Sequence, residues 1–376
     1  MSRPVLARIH VDAMAHNLAV VMRRLKSDSS SPAHVWAVVK AHAYGHGLAA
    51  AVQGFAQADG LALLEINEAV RCRELGWSHP ILLLEGFFRP QDLPVLAQYQ
   101  IDTVVHSHIQ VQMLQAYRGP ALPGAHLMLN SGMHRLGFQP SQYAASFAQV
   151  QALQQQGRVQ QVGRMTHFAR ADDNASVTAA QLQCFIRVAG HMPGPVSVCN
   201  SAAALAPGLA AAVPGKNHWV RPGICLYGGS PYVGEGPESL GLQPAMTLQS
   251  ELISTHVLPA GEAIGYGHAF RADHDLRVGI VACGYADGYP RHAITGTPVT
   301  VAGVRTRIIG RVSMDMLSVD LSPVPQAQVG APVVLWGRGG PWVDEVAWSS
   351  STIANELLAG LTHRVPRKID PTASLA

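Results

Sequence analysis

Eight short apolar runs alternate with segments of helical periodicity through the first 240 residues, and this alternation limits the fold more than any other pattern. The intervening segments, such as Ile66–Leu75 and Ser141–Gln156, repeat apolar residues at the spacing of one helix face. The runs are Val35–Lys40, Leu61–Glu65, Ile81–Glu85, Ile101–Val105, Ala125–Asn130, Val162–Phe168, Val196–Asn200 and Val220–Tyr227. They predict an α/β fold with an N-terminal (β/α)8 TIM-type barrel, because eight runs fit closure better than one doubly wound sheet.

The pattern changes near residue 240. Strand-like segments with Gly or Pro turns follow, and helical periodicity returns only at Ser350–Leu361. The strand-like segments are Leu248–Leu258, Arg277–Cys283, Thr297–Val301, Val304–Ile309 and Ala331–Trp336. We therefore predict a barrel domain over residues 1–240 and a mostly-β C-terminal domain over residues 241–376, with the boundary in Glu235–Gln243. Whether the first few residues join the second domain stays open at this point.

Composition excludes several function classes. The formal net charge is only +3 and the basic residues are scattered, so we expect no nucleic-acid partner. No apolar run reaches 18 residues, and the N-terminus has no basic stretch followed by an apolar one, so we expect neither a membrane span nor a secretory signal. The five cysteines form no C-x-x-C and the 18 histidines no H-E-x-x-H, which favours reduced thiols in a cytoplasmic protein without a metal site.

A single lysine ends the first apolar run. Lys40 follows the apolar segment Val35–Val39 and precedes Tyr44 between small residues and glycines. Burial disfavours an ammonium group and lowers its pKa, so the neutral amine becomes available as a nucleophile or base. A Schiff-base lysine needs this environment, although a lysine at a strand end can also reach water with its head.

Polar side chains follow the later runs, at the barrel end where active sites of this fold lie. They are Arg135 after the fifth run, His167 at the end of the sixth, Ser201 after the seventh and Arg221 with Gly223 and Ile224 in the eighth. A serine with glycine amides is typical of a phosphate cradle, and a lysine beside it suggests pyridoxal phosphate. Taken one at a time, Arg221 could pair with a structural carboxylate, His167 could be a core histidine and Ser201 could be a helix N-cap.

Nine ordered motifs resemble those of alanine racemase over essentially the whole length of the chain. They are VVKAHAYGHG at 38–47, NSGMHRLGF at 130–138, THFARAD at 166–172, NSAA at 200–203, RPGICLYGG at 221–229, GYGHAF at 265–270, GYADGYPR at 284–291, GRVSMDM at 310–316 and RVPRK at 364–368. The resemblance implies pyridoxal 5′-phosphate as cofactor, a homodimer with shared active sites, and interconversion of L- and D-alanine for wall synthesis or for breakdown.

The resemblance also assigns roles by position. Lys40 resembles the lysine that holds the cofactor as a Schiff base, and Tyr266 resembles the second acid/base, delivered by the partner subunit. The other roles concern phosphate (Tyr44, Ser201, Gly223 and Ile224), the pyridine ring (His167 and Arg221), the substrate carboxylate (Arg135, and Met314 from the partner), and the entrance and its surroundings (Tyr285, Arg291 and Asp315). Racemisation needs one base on each face of the reacting carbon, which a lysine and a tyrosine on opposite sides provide.

The chain departs from the family at four positions. Met128 stands where many relatives carry a lysine that becomes carbamylated and orients the arginine corresponding to Arg135, so we predict no such modification and another partner for Arg135, with Asn130, a bound anion or a neighbouring carboxylate as the candidates. Asn355 replaces a tyrosine of the family, which predicts a pocket that also admits serine. His42 replaces a common Asn and Gly265 a frequent Ser, and both changes are predicted to be tolerated.

Three alternatives to an alanine racemase remain from the sequence alone. The first is a serine or broad-spectrum amino-acid racemase with the same mechanism, which Asn355 favours. The second is a decarboxylase of basic amino acids with a barrel and a β domain, against which Arg221 argues because that chemistry needs a carboxylate at the ring nitrogen. The third is a non-catalytic pyridoxal-phosphate carrier, which would keep Lys40 but would not need Tyr266.

Overall fold

A computed structural model describes residues 3–28, 33–215 and 217–370 of the chain. The first part alternates strands and helices in the order β1 (Leu6–Ile9), α1 (Val11–Asp28), β2 (His34–Val38), α2 (Lys40–Tyr44), α3 (Leu48–Gly54), β3 (Gly60–Leu63), α4 (Ile66–Glu74), β4 (Ile81–Leu83), α5 (Asp92–Gln98), β5 (Asp102–Val105), α6 (His108–Ala116), β6 (Leu122–Met128), α7 (Pro140–Gln155), β7 (Val159–Met165), α8 (Ala175–Ala189), β8 (Val196–Ser197), α9 (Ser201–Leu205) and β9 (His218–Val220).

Strands β2 to β9 close into an eight-stranded parallel barrel, so the predicted fold class is confirmed. Each strand pairs with its neighbour in sequence, and β2 closes the ring by pairing His34 with Trp219 of β9. The strands are short and their side chains are almost all buried, as expected where helices cover the outer face of a parallel sheet. The carboxyl ends of all eight strands therefore meet at one mouth.

The eighth predicted run is longer than the strand it contains. β9 ends at Val220, and Ile224–Tyr227 forms a 3-10 helix instead of continuing the strand. Pro222 has no N–H to donate to a ladder, and its carbonyl accepts the N–H of Val38 at 3.0 Å. The prediction of one strand over Val220–Tyr227 is thus wrong, and the break leaves Gly223 and Ile224 in a turn at the mouth.

The second part is mostly β, in the order β10 (Met246–Leu258), β11 (Ala263–Ile264), β12 (Phe270–Arg271), β13 (Leu276–Val281), β14 (Pro298–Val301), β15 (Val304–Ile309), β16 (Leu317–Asp320), β17 (Pro332–Trp336), α10 (Val343–Ser349), α11 (Ala354–Ala359) and β18 (Arg367–Ile369). One eight-stranded sheet runs β13-β16-β15-β14-β17-β10-β1-β18, and the long strand β10 also pairs with β13. The sheet therefore curls back on itself around β10.

The N-terminal strand β1 lies in this second sheet. It pairs antiparallel with β10 (Leu6 with Gln249) and parallel with β18 (Ala7 with Arg367). The chain enters the sheet before it builds the barrel, so the two parts are joined by two crossings of the backbone. The domain boundary at residue 240 stays a prediction. Strand β1, although N-terminal, lies in the sheet formed by the strands after residue 240.

Three elements of the second part differ from the prediction. The predicted helical stretch Ser350–Leu361 is helical only from Ala354, because helix α10 ends at Ser349 and Ser351, with a φ of 52°, lies outside the right-handed helical region. Helix α10 and strand β16 have no counterpart in the sequence prediction. Both are short, and only some of their residues are buried, so their periodicity is weak.

The structure also bears on membrane-spanning helices and on the state of the cysteines. Within the described residues, no helix combines the length and the apolar character that crossing a membrane requires. All five cysteines lie in this part of the chain and are free thiols, four of them buried.

Candidate active site

A left-handed turn carries the lysine to the mouth of the barrel. Residues 41–44 have φ angles of 53°, 54°, 56° and 50°, a run of four residues in the left-handed region without a glycine. Each such residue costs about 1–2 kcal/mol, so the surroundings must hold the turn. The N–H of Ala43 donates to the carbonyl of Val39 at 2.8 Å, and the N–H of His42 donates to Oε1 of Glu68 at 3.0 Å. These contacts fix Lys40 and Tyr44 at opposite ends of the turn.

Eight of the ten predicted site residues line one cavity of about 560 Å³ at this mouth. They are Lys40, Tyr44, Arg135, His167, Ser201, Arg221, Gly223 and Ile224. The volume is that of a typical cofactor or small-molecule site. Residues from five different strand ends thus meet in one place, as the sequence predicts.

The end of the cavity near Tyr44 has the features of an anion cradle. The N–H of Gly223 donates to Oγ of Ser201 at 2.7 Å. A Cβ at position 223 would lie 2.4 Å from the phenol oxygen of Tyr44, so only glycine allows this approach. Asn200 caps helix α9 by accepting the N–H of Ala203 at 3.1 Å, which leaves Ser201 free of the capping role suggested as its structural alternative.

Arg221 is fully enclosed, with 4% of its surface exposed. Its guanidinium donates to Oγ of Ser197 at 2.5 Å, to the carbonyl of Thr166 at 2.7 Å and to Nδ1 of His167 at 3.2 Å. None of these partners is a carboxylate, so the predicted alternative of a structural ion pair is wrong. Burial lowers the pKa of Arg221 to about 10, which leaves the group charged at neutral pH.

His167 accepts one of the hydrogen bonds from the guanidinium of Arg221. Since Nδ1 accepts a hydrogen bond, the proton of the neutral ring is on Nε2. Burial, together with the charges of Arg221, Arg135 and Lys40, lowers the pKa of His167 to about 3. The ring is therefore a neutral, flat surface at the bottom of the cavity.

Lys40 is partly buried in the same cavity. Burial lowers its pKa, the Arg135 guanidinium adds to the lowering, and Glu85 opposes it. The direction agrees with the sequence prediction, because a larger fraction of the amine is neutral than in water.

Arg135 lies on an exposed loop whose shape depends on Asn130. The Asn130 side-chain oxygen accepts the N–H groups of Gly132 at 3.2 Å and His134 at 3.0 Å. Asn130 therefore shapes the loop that carries the arginine rather than binding its guanidinium. Met128 lines the cavity beside this loop.

Two predicted site residues lie outside the cavity. Tyr266 is 72% exposed and Met314 is 52% exposed, and neither lines the cavity of its own chain. Both lie in short connecting segments of the second part, and the segment of Met314 contacts that of the exposed Tyr285, whose N–H donates to the carbonyl of Ser313 at 3.1 Å. Gly265, which precedes Tyr266, has φ 73° and ψ −174°, a conformation that glycine adopts without the penalty of a side chain.

Asp315 and Arg291 complete the predicted set on these loops. Nη2 of Arg364 donates a hydrogen bond to the side-chain carboxylate of Asp315 at 2.7 Å, and Nη2 of Arg3 donates to the backbone carbonyl of Asp315 at 2.9 Å. Arg291 is exposed and does not line the cavity. The loop that carries Met314 is thus pinned by two arginines of the same chain.

Several cavity residues escape sequence reasoning. Glu85, Asp172, Tyr232 and Trp348 line the cavity, and so does the buried carboxyl group of Asp344. Asp344 lies in helix α10, whose weak periodicity hides it. Within the described part of the chain, no group of three or more His, Cys, Asp or Glu side chains is placed to hold a metal ion.

Comparison with known proteins assigns the chain to a family. The family model "Alanine racemase, N-terminal domain" matches residues 9–231, and "Alanine racemase, C-terminal domain" matches residues 245–369. This chain belongs to the alanine racemase family. The alanine racemase of Bordetella petrii is 56% identical over 98% of this chain and 100% of its own length, and that of Bordetella avium is 54% identical over 97% and 99%.

Solved structures of alanine racemases have the same fold. The crystal structure of the biosynthetic alanine racemase from Pseudomonas aeruginosa matches with a TM-score of 0.90 and 42% identity, over 98% of this chain and 100% of that one. The alanine racemase from Acinetobacter baumannii matches with a TM-score of 0.87 and 33% identity, over 98% and 100%. The chain is therefore a pyridoxal-phosphate-dependent racemase of the alanine racemase family. The residues that line the cavity fit this cofactor. Lys40 offers an amine for its aldehyde, the hydroxyls and amides of the anion cradle can bind its phosphate, and the neutral imidazole of His167 can pack against its ring.

Proposed function

We propose that the protein interconverts L- and D-alanine by a two-base mechanism in which Lys40 serves one face of the substrate and Tyr266 of a partner subunit serves the other. The observation that carries the proposal is the position of Lys40, a half-buried amine whose pKa is lowered. It lies in the same cavity as the anion cradle and Arg221, a guanidinium without a carboxylate partner. Alanine racemases at 54–56% identity over the whole chain support the reaction.

The cavity residues would hold the cofactor at both ends. The phenol of Tyr44, the hydroxyl of Ser201 and the amides at Gly223 and Ile224 would bind its phosphate, because these buried groups line one cavity and the Gly223 N–H already donates to Oγ of Ser201 there. His167 would contact the face of the pyridine ring. Pyridoxal phosphate, when bound, holds the amino group of the substrate and draws electrons from its Cα, which makes the Cα proton removable.

Arg221 would face the pyridine nitrogen as a hydrogen-bond donor. A guanidinium has no acceptor and does not give up its proton at neutral pH, so it keeps that nitrogen unprotonated. This limits the electron-withdrawing power of the ring, and we expect it to suppress transamination. The absence of a carboxylate among the hydrogen-bond partners of Arg221 supports this role and disfavours the decarboxylase alternative.

The two proton-transfer groups would stand on opposite faces of the reacting carbon. Lys40, once released from the cofactor, would take the proton of the D-substrate, and Tyr266 that of the L-substrate. Tyr266 is outside its own cavity and 72% exposed, which supports its delivery to the cavity of a second subunit in a homodimer. Tyr285 and Met314, at 37% and 52% exposure, lie on neighbouring loops and would complete the same interface.

The substrate carboxylate would pair with Arg135 on one side. The loop of Arg135 is shaped by Asn130, and Met314 of the partner subunit would close the other side. With Met128 at the usual lysine position, no carbamylated side chain can orient this arginine. We therefore propose that Asn130 replaces that device by fixing the loop backbone.

A second candidate function is racemisation of serine or of a broader set of amino acids. Asn355 lines the cavity, where an aromatic side chain is usual in the family. Its shorter polar side chain leaves room for a hydroxymethyl group and offers it a hydrogen-bond partner. This observation favours relaxed selectivity beside alanine racemisation, not in place of it.

Racemisation of a panel of L-amino acids tests these proposals, with loss of optical rotation as the readout. We expect turnover of L-alanine, weaker turnover of L-serine, and at least a ~100-fold loss of L-alanine turnover in Tyr266→Phe. A protein that binds the cofactor but racemises no amino acid would instead be a carrier.

A further inference from the structure

Asp344 is a buried carboxyl group in the active-site cavity to which the mechanism above gives no role. It is 4% exposed and lines the cavity together with the residues of the anion cradle. Its Oδ1 accepts the N–H of Ser230 at 3.0 Å, whereas Oδ2 is buried and has no hydrogen-bond partner among the described residues. Leaving an ionised oxygen unsolvated and unpaired is costly, so the ionised form is poorly accommodated.

Its neighbour in sequence behaves differently. The carboxylate of Glu345 accepts the N–H of Trp342 at 2.9 Å and pairs with Arg305 on the outside of the sheet. Two adjacent acidic residues thus face opposite environments, one satisfied at the surface and one enclosed at the cavity. No cation among the described residues forms a salt bridge with Asp344.

The contact with Ser230 joins Asp344 to the anion cradle. The hydroxyl of Ser230 accepts the N–H of Tyr232 at 3.1 Å, and the phenol of Tyr232 donates to the carbonyl of Ala202 at 2.9 Å. Ala202 follows Ser201 in the first turn of α9. Hydrogen bonds therefore link Asp344 through Ser230 and Tyr232 to Ala202, the residue next to Ser201, whose hydroxyl accepts the N–H of Gly223.

We propose that Asp344 is a positioning residue that holds the phosphate end of the cofactor as a neutral carboxylic acid and takes up a proton when the cofactor binds. The proposal rests on the proposed function, which puts the phosphate in the cradle beside it. In the neutral form, Oδ2 carries a proton and no charge, so leaving this atom buried and without a partner costs less than in the ionised form. A phosphate brought into the same cavity adds negative charge and favours this form further.

Burial and the two nearest carboxylates act in the same direction on the pKa of Asp344. Burial raises the pKa of Asp344 to about 7, the charges of Glu238 on the turn Pro237–Leu240 and of Glu345 on the same helix add to the increase, and the Ser230 N–H opposes it. Lys40, Arg135 and Arg221 line the same cavity but do not hydrogen-bond to Asp344.

A pH dependence of cofactor affinity follows from this arrangement. Below pH 7 the group is already protonated in the free protein, so binding needs no proton from solution. Above pH 7 the free protein is ionised, and binding has to take up the proton, so affinity falls as pH rises, by at most about tenfold per pH unit. The fall ends at the pKa of the bound state.

The test measures the affinity of the full-length chain, stripped of cofactor, for pyridoxine 5′-phosphate between pH 6.5 and 8.5. This probe has the phosphate and the ring but no aldehyde, so the Schiff-base chemistry of Lys40 does not contribute. Asp344→Asn keeps the shape and the capacity to donate but cannot titrate. Relative to Asp344→Asn, we expect the wild-type affinity to fall by at least about fivefold across this range.

A control variant distinguishes the loss of the carboxylate at position 344 from the loss of a negative charge elsewhere on the protein. Glu251→Gln makes the same chemical change on an exposed residue outside the cavity whose charge does not act on the pKa of Asp344, and it should keep the wild-type slope. Calorimetry at pH 8 in two buffers should show that the wild type takes up more protons on binding than Asp344→Asn, by an amount approaching about one. If Asp344→Asn does not fold, the infrared difference spectrum of the wild type supplies the same test, since binding at pH 8 should produce the carbonyl band of a protonated carboxylic acid.

Two outcomes overturn the inference. Parallel pH profiles in the wild type and Asp344→Asn, with equal proton uptake, would show that Asp344 does not titrate with binding. Absence of the carbonyl band in the wild type would show the same. If neither protein binds pyridoxine 5′-phosphate at any pH, the assignment of the anion cradle itself is wrong, and the proposed function fails with it.

Discussion

The barrel mouth and the loops that carry Tyr266 and Met314 are built in opposite ways. At the mouth, eight predicted site residues converge on one cavity, and Arg221 and Ser201 are at most 8% exposed. On the loops of the second part, Tyr266 and Met314 are more than half exposed and reach no cavity of their own chain. A single chain thus encloses the residues proposed to hold the cofactor and leaves Tyr266, the proposed second acid/base, on its surface.

This contrast is what we expect if one chain carries both the barrel mouth and the loops of Tyr266 and Met314 but cannot bring the two together by itself. Parallel strands bring their carboxyl ends together whatever else the chain does, so the mouth forms by folding alone. In the proposed homodimer the surface loops of one subunit would meet the mouth of the other, and a two-fold axis would make two equal sites. Substitutions in the two regions should therefore affect different steps.

The largest effect is expected at the mouth. Lys40→Ala removes both the Schiff-base amine and one base, so we expect racemisation in both directions to fall by more than about 10⁴-fold, with weaker cofactor retention. The measurements are kcat/KM in each direction and the visible absorbance of the purified protein. Activity within tenfold of the wild type would remove Lys40 from the mechanism.

The corresponding change on the loops should leave the cofactor in place. Tyr266→Phe removes only a proton-transfer group, so we expect a loss of about 10²–10⁴-fold in kcat with unchanged cofactor affinity. Tyr285→Phe, at another exposed tyrosine of the second part, serves as the matched control and should change kcat far less. Loss of cofactor in Tyr266→Phe would contradict the division between the two regions.

Selectivity should be set by the cavity wall. Asn355→Tyr restores an aromatic side chain and narrows the space for a hydroxymethyl group, so we expect the ratio of kcat/KM for L-alanine over L-serine to rise by about 5–150-fold. Asn355→Gln keeps the amide and controls for loss of the hydrogen bond. An unchanged ratio in Asn355→Tyr would exclude this residue as the selector.

The smallest change is expected in side reactions. Arg221→Glu places an acceptor where the guanidinium donates, so the ring nitrogen gains a proton and its electron-withdrawing power rises. We expect pyruvate formation per racemisation event to rise by about tenfold, while Arg221→Lys, which keeps the positive charge, stays near the wild type. Equal pyruvate formation in both variants would reject the proposed role of Arg221.

The sequence predicts the barrel and most of its mouth because both depend on local patterns. Eight apolar runs alternate with helices, and the polar residues that follow them lie at the strand ends by geometry, as Lys40 and His167 do. Short elements escape this reasoning. Strand β16 has four residues and helix α10 seven, so neither gives a clear period, and Asp344 in α10 escapes notice with it.

Tertiary contacts account for the remaining differences. The left-handed turn at residues 41–44 contradicts the preference of L-residues, and the contact of His42 with Glu68 that supports it lies 26 residues away in sequence. Asn130 contacts loop amides four residues or fewer away, but nothing in its identity predicts this over a direct contact with Arg135. A homodimer and a cytoplasmic location stay predictions.

Mixed dimers test the central claim most directly. We expect Lys40→Ala and Tyr266→Phe each to impair both sites of their own dimers. A dimer with one copy of each would have one site with an intact lysine and an intact tyrosine. Co-expression of the two variants should therefore restore about a quarter of the wild-type kcat under random pairing of subunits. Activity no higher than that of either variant alone would contradict an active site shared between two chains.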